Sequence, residues 1–383
     1  MKIINVITVL SMCLLVSCGQ KDEQSKNAEV IKINYLKNYP NKELELHKIA
    51  DVKYLALKTT NDKPFQGRIA YCDNELIIGF AKSIKDVIVF SGQGAETYRF
   101  NHVGKGPKEY EKSSSLSYNP QSKEIFIKST YSKSVKVYSL KGEFKRSFYT
   151  YNKMLYTSLI PFNNDLIAYN KYLDSEKIAY LKTSAKDGEL LEIIDTHFKK
   201  KREIDLIENW DSKGTMSFSW YDRYLQVFCG KNLLVNDFSS DTIYCYTTCG
   251  KVLPHTAITP SFEKAPDPWV VLVNGESQQH CYYTAIKMEK PAKDKKADVK
   301  SLIYDKTNGA INEVRLYDKN YPDYEHFFRH PRGNGLFIEQ LEAYSLIERN
   351  KKGKLAGELK DLALTLDINN NPVLMIIQLK DKM

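Results

Sequence analysis

Few residues in this 383-residue chain stand in patterns that do chemistry. Gly104-Lys105-Gly106-Pro107-Lys108-Glu109-Tyr110 is glycine-bearing, but it lacks the Gly-x4-Gly-Lys-Ser/Thr spacing that cradles a phosphate, and no helical pattern follows it. It reads as a turn between strands; the alternative is a small anion-binding rim of His102, Lys105 and Lys108. His326 and His330 stand at i, i+4, the spacing that chelates zinc from one helix face. No Glu lies beside the first histidine, and the turn cluster Pro331-Arg332-Gly333-Asn334-Gly335 follows at once. A loop or strand entry is expected there, without a metal. Cys245 and Cys249 miss zinc-knuckle spacing and have no second pair nearby, so Cys245 is expected as a small buried apolar residue. There is no Gly-x-Ser-x-Gly and no sialidase-type Ser-x-Asp-x-Gly-x-x-Trp. Carboxylates are plentiful, but a glycosidase pair would draw its members from separate parts of the fold, and spacing cannot select them. No catalytic residue, metal or cofactor is assigned.

Rings are the remaining signal. The chain carries 26 Tyr, 16 Phe and 3 Trp. Trp210, Phe218, Trp220, Tyr221 and Tyr224 lie close together, and Trp269 follows Pro266-Asp267-Pro268. Rings in loops stack on sugar faces or anchor a protein partner; the same rings between sheets fill core. Trp220, Tyr221 and Trp269 join His102, Lys105 and Lys108 as candidate ligand contacts.

At the amino terminus the chemistry is covalent. Lys2 precedes an apolar run, Ile3 to Val16, shorter than the roughly 20 residues that span a bilayer. Residues 1–17 read as a secretory signal. Leu15-Val16-Ser17-Cys18 is similar to a lipoprotein signal box, in which the small Ser17 admits the peptidase and the Cys18 thiol takes the diacylglyceryl group. Met12 makes Cys13 a poor rival. Lys21-Asp22-Glu23 resembles the tag that exports lipoproteins to the outer face of the outer membrane. Residues 18–30 then form a lipidated polar tether. The expected address is a surface-exposed outer-membrane lipoprotein held by its acyl chains only.

Formal net charge is +9, which permits acidic sugars or anionic headgroups as partners. The lysines are scattered, and Lys199-Lys200-Lys201-Arg202 and Lys290 to Lys300 read as solvated loops, so nucleic acid is not expected. Cys72, Cys229, Cys245, Cys249 and Cys281 remain in the mature chain, an odd number that leaves at least one thiol free.

The body that must position these groups reads as strands. A β-rich run, a polar Gly-bearing turn and another β-rich run recur about every 54 residues, at Gly92, Gly142, Gly188, Gly250 and Gly309. That period exceeds the roughly 40–45 of WD-type blades. A lone four-stranded sheet leaves both faces bare, whereas sheets stacked radially into a ring bury them. Val30 to Ile33, Val52 to Leu57 and Val373 to Leu379 are the terminal strands available for closing the ring. Leu355, Leu359, Leu362 and Leu366 mark one amphipathic helix, ended by Asn369-Asn370-Asn371-Pro372.

With Gly104 to Tyr110, Asp241-Thr242-Ile243-Tyr244 and Asn371-Pro372-Val373-Leu374 in that order, residues 31–383 resemble the six-bladed β-propeller lipoproteins of gut and oral Gram-negative bacteria, NHL-like propellers. The resemblance implies an all-β propeller of six four-stranded blades with a short C-terminal helix. Residues 260–300 depart from it and read as enlarged loops around the fifth blade. The family supplies no common activity. Two functions are expected of such a chain: a surface-anchored binding or scaffold domain for a glycan, peptide or protein partner, or a polysaccharide hydrolase or lyase with carboxylates at the channel.

Overall fold

The computed structural model describes residues 29–60, 64–151, 158–174, 177–194, 226–236, 240–261, 264–265, 267, 269–287, 298–324, 328 and 331–380. They form six sheets around an axis. Blade 1 is β4 (Gly67–Cys72), β5 (Leu76–Ala81), β6 (Val87–Ser91) and β7 (Glu96–Phe100). Blade 2 is β8 (Ser114–Asn119), β9 (Glu124–Ser129), β10 (Ser134–Tyr138) and β11 (Phe144–Tyr149). Blade 3 is β12 (Ser158–Phe162), β13 (Asp165–Asp174), β14 (Lys177–Ser184) and β15 (Leu190–Ile194). Blade 4 holds β16 (Gln226–Cys229), β17 (Asn232–Val235), β18 (Thr242–Tyr246) and β19 (Val252–Thr259). Blade 5 holds β20 (Trp269–Glu276), β21 (His280–Lys287), β22 (Val299–Asp305) and β23 (Ile311–Tyr317). Blade 6 is β24 (Pro331–Gly333), β25 (Leu336–Leu341), β26 (Val373–Leu379) and, from the other end of the chain, β3 (Ala50–Ala56). The expected six-bladed propeller is the observed fold.

The period-2 geometry of a strand explains why these runs are almost wholly apolar. Both faces of each blade meet a neighbour, so both sets of alternate side chains are buried. On β5, Ile77 enters the core shared with blade 6 while Ile78 enters the core shared with blade 2. On β17, Leu234 faces blade 5, and Leu233 and Val235 face blade 3. On β21, Tyr282 faces blade 6, and Cys281 and Tyr283 face blade 4. Six clusters of this kind fill the six interfaces.

The glycine repeat marks one place in each blade. Gly142, Gly188, Gly250 and Gly309 occupy the turn between third and fourth strands, with φ of 85°, 78°, 80° and 73°. In blade 1 the equivalent left-handed residue is Gly94, at φ 80°, rather than the expected Gly92. Gly92 sits tightly for another reason: a Cβ there would lie 1.8 Å from the Asn74 carbonyl. Blade 6 has no such turn because its third and fourth strands are the two ends of the chain.

Three sequence expectations are corrected. Residues 30–33 do not close the ring: β1 (Ile31–Asn34) lies parallel to β19 as a fifth strand of blade 4. β2 (Asn41–Glu45) does the same on β23 of blade 5, after which the chain passes through α1 (Leu46–Ile49) into β3. The amino-terminal segment thus covers two outer edges that would otherwise be open to pairing. The described residues of 260–300 are mainly strand rather than loop, for they supply the eight-residue strands β20 and β21 and the start of β22. Lys300 is accordingly a strand residue, its Nζ donating to the Tyr35 carbonyl at 3.0 Å and standing 5.1 Å over the Trp269 ring. Third, the C-terminal connection holds two helices where one was expected: the leucine stripe forms the expected helix, α3 (Gly357–Leu364), with Leu359 buried and Leu355 ahead of it. A second helix, α2 (Ala343–Lys351), precedes it in the same β25–β26 connection. Among the described residues no helix is long and apolar enough to cross a membrane.

One charged contact ties blade 2 to blade 3. Buried Glu124 accepts from both terminal nitrogens of Arg146 (2.7 and 2.8 Å) and from Lys145 (3.2 Å), and Arg146 also donates to the Ala185 carbonyl at 2.8 Å. The Arg146 hydrogen bonds, with help from Lys145 and against the effect of burial, hold the carboxyl down at about 2, from an ordinary 4.5. A carboxyl lowered on folding adds stability above its unfolded value and loses it as pH falls toward its folded one. Glu124→Gln should therefore cost about 2–3 kcal/mol at neutral pH. The difference in melting temperature between variant and wild type should shrink as pH falls from 4.5 to 2. A gap independent of pH across that window would show that the ion pair contributes nothing.

Candidate functional site

The inner strands β4, β8, β12 and β16, with β25 and β26 of blade 6, line a central cavity of about 1210 Å³. Their composition follows from convergence, because side chains on strands meeting near one axis have little room. On β8, Leu116 and Tyr118 turn into the blade 1–blade 2 core, and the half-buried Ser115 and Ser117 line the cavity. Tyr71 of β4 packs edge-on against Tyr118, ring centroids 4.7 Å apart, and donates its hydroxyl to Asp73 at 2.8 Å. Asp73 also accepts the backbone N–H groups of Glu75 and Leu76, so this cavity carboxylate holds the β4–β5 turn. Apolar side chains share the lining: Ile160, Phe162, Phe228, Leu336 and Ile376 contribute to it, with Phe162 and Phe228 stacked at 6.4 Å. Lys53, Arg68, Lys128 and Lys231 stand against Asp73, Glu339 and Glu342, so neither sign of charge dominates.

Side-chain amides clamp neighbouring blades. Gln340 of blade 6 donates to the Gly67 carbonyl (3.0 Å) and accepts from the Ile69 amide (3.3 Å) of blade 1. Asn119 of blade 2 donates to the Asn163 carbonyl at 2.9 Å in blade 3. Asn236 of blade 4 exchanges two hydrogen bonds with Val273 of blade 5 (3.0 and 2.9 Å). Each amide stands where a backbone pair between diverging strands would otherwise go unmade.

The expected site residues are dispersed. His102 lies in the connection from blade 1 to blade 2, its ring stacked on Tyr138 with centroids 5.3 Å apart, and its Nε2 donates to the Gly142 carbonyl at 2.9 Å. The Gly104 loop is a blade-connecting turn. Glu109 accepts the Gly106 amide at 2.7 Å, and a Cβ on Gly104 would lie 1.9 Å from that carboxylate. The buried Tyr110 donates its hydroxyl to the Lys85 carbonyl at 2.7 Å. Lys105 is exposed, and the Lys108 ammonium stands 5.9 Å over the Phe144 ring. Trp269 is partly buried against Tyr35, at 6.4 Å and 27°. None of these four lines the central cavity. Trp220 and Tyr221, His326 and His330, Cys18 and residues 21–23, and the cluster 199–202 lie outside the described residues.

Tertiary structure also assembles a set that spacing did not suggest. At the blade 4–blade 5 interface, His255 of β19, Glu276 of β20 and Cys281 of β21 bring their donor atoms within 4.8 Å of one another. Glu276 and Cys281 are register partners across one hairpin. The Glu276 carboxylate accepts from the Lys306 ammonium, its other oxygen is 3.4 Å from His255 Nε2, and the Cys229, Cys245 and Cys281 thiols belong to the same interface core. Burial pushes all three thiols up, Cys245 to about 11. Burial alone would raise Glu276 as well, but the His255 hydrogen bond and charge and the Lys306 ammonium hold it well below the usual carboxylate range. Cys245, expected as a buried residue, is half-buried against the interface core, and all five described cysteines are unbridged.

A family model described as "Domain of unknown function (DUF4934)" matches residues 29–378. Among solved structures, a Bacteroides fragilis protein described as exported aligns with a TM-score of 0.62 at 16% identity, covering 92% of this chain and 100% of that one. A DUF4221 family member from Bacteroides vulgatus aligns with a TM-score of 0.50 at 10% identity, covering 87% and 99%. At such identities the likeness is one of fold. A search of curated proteins gave no match.

Proposed function

We propose that this chain, which belongs to the DUF4934 family, is an exported binding propeller holding an uncharged, hydrogen-bonding ligand of oligosaccharide size in its central cavity. The observation that carries the reading is the mixed hydroxyl-bearing and apolar lining of the cavity. The Ser115 and Ser117 hydroxyls and the half-buried Tyr71 suit the hydroxyl groups and ring face of a sugar, and the apolar Ile160, Phe228, Leu336 and Ile376 suit its C–H groups. Opposed charges of nearly equal number give no preference for a polyanion despite the net +9. Export is supported by the signal-like residues 1–17 and by the exported description of the B. fragilis neighbour. Attachment through lipidated Cys18 and display through Lys21 to Glu23 complete the proposal: the propeller is held at the outer membrane by acyl chains and presents its cavity outward.

Glycan-array screening of the purified protein tests this. A hit should lose at least about tenfold in affinity on Ser117→Trp, which fills the cavity, and on Tyr71→Ala, which removes a ring from its wall. Equal affinity in both folded variants would place the ligand elsewhere. Turnover of a polysaccharide that stops on substituting one cavity carboxylate would replace the binding reading with the hydrolase or lyase reading.

A further inference from the structure

We propose that the pocket between blades 4 and 5 is a binding site for a Zn2+-like transition-metal ion, with His255 Nε2, the Glu276 carboxylate, Cys281 Sγ and Cys229 Sγ as ligands. One imidazole, one carboxylate and two thiols are the donor types of a four-coordinate zinc centre. Metal–nitrogen and metal–sulfur bonds of about 2.0–2.3 Å put ligand atoms about 3.4–3.8 Å apart in a tetrahedron. Three of these donors already lie within 4.8 Å of one another, so an inward shift of about 1 Å completes the geometry. Cys229, partly buried against the same interface core as Cys281, supplies the fourth donor.

The surroundings match a ligand set. Metal-binding histidines use their second ring nitrogen on an outer partner, which fixes the ring. His255 Nδ1 is 2.8 Å from the Thr256 hydroxyl, itself 2.9 Å from the Tyr283 hydroxyl, and this leaves Nε2 aimed at Glu276. Charge closes as well. Coordination as thiolates releases one proton each from Cys229 and Cys281 to solvent. Two thiolates and the Glu276 carboxylate then balance the dication plus the Lys306 ammonium. Lys306 need not leave, since it also donates to the Ser277 carbonyl at 2.8 Å. The His255 side chain, 15% exposed, gives the ion an entry path. Because the ligands come from β16, β19, β20 and β21, a bound ion would pin blade 4 to blade 5.

The test uses the full chain stripped with chelator and titrated with Zn2+ and with Co2+. About one ion per chain is expected, with a thiolate-to-Co2+ charge-transfer band and a melting temperature raised by Zn2+. His255→Gln and Cys281→Ser should each weaken Zn2+ binding by at least about tenfold and remove the Zn2+-dependent rise. Cys249→Ser, at an exposed cysteine of blade 4, should change neither. The wild-type Co2+ spectrum needs no substitution, so a variant that fails to fold does not obscure the result. Absence of the thiolate band, or undiminished affinity in folded His255→Gln and Cys281→Ser, would overturn the proposal. Neither outcome bears on the central cavity.

Discussion

Deleting residues 372–383 should abolish cooperative unfolding, leaving no melting transition by circular dichroism or calorimetry. The deletion removes β26, the strand that pairs with β25 on one side and with β3 on the other, from Val373↔Ala56 to Leu379↔Ala50. Val373, Leu374, Met375 and Ile377 are fully buried and Leu379 is 5% exposed. At about 1.5–3 kcal/mol for each aliphatic side chain, five such losses amount to about 8–15 kcal/mol. A domain's whole stability is about 5–15 kcal/mol. The loss also opens two interfaces, since Leu374 packs in the blade 6–blade 1 core and Met375 and Ile377 in the blade 5–blade 6 core. A truncated protein that melts like the intact one would refute closure through this strand.

Asn371→Ala should cost about 2–4 kcal/mol, read as a drop in melting temperature with secondary structure retained. Buried Asn371 sits at the end of the helical insertion and reaches into the amino-terminal segment. Its side-chain oxygen accepts the Phe65 amide, and its nitrogen donates to the Leu57 carbonyl (3.0 Å) and the Thr59 hydroxyl (3.1 Å). The alanine leaves a buried backbone N–H and C=O without these partners, and that desolvation loss dominates the cost. Exposed Asn369→Ala, two residues away, should stay within about 0.5 kcal/mol of wild type. Equal effects of the two substitutions would remove Asn371 from the closure. The Asn-Pro-Val-Leu ending that marks the resemblance thus has a physical role: the amide fastens the chain's two ends just before the last strand begins.

The class of fold was legible because burial on both faces of every blade leaves a periodic signature. Third strands such as Val135 to Tyr138 read as β-rich runs, each followed by a turn glycine, and the repeat recovered five of six blades. It faltered where local pattern and tertiary role part. Gly92 and Gly94 share one turn, and only backbone conformation shows which takes the left-handed position. Val30 to Ile33 reads as a strand in isolation, but its partner β19 is over two hundred residues away, so only the folded ring could place it on blade 4. α2 escaped notice because just Ala343 and Leu346 of it are buried, too few for a visible stripe.

The sequence by itself determined that the chain is a ring of strands and that its glycine loop is a turn, since these depend on neighbours in the chain. Only the tertiary structure decided which side chains meet. The cavity wall draws on blades 1, 2, 3, 4 and 6, and the His255, Glu276 and Cys281 set draws on three strands of two blades. Both sets are assembled across blade interfaces, from strands whose facing side chains only the folded ring defines, and no local spacing rule predicts such meetings.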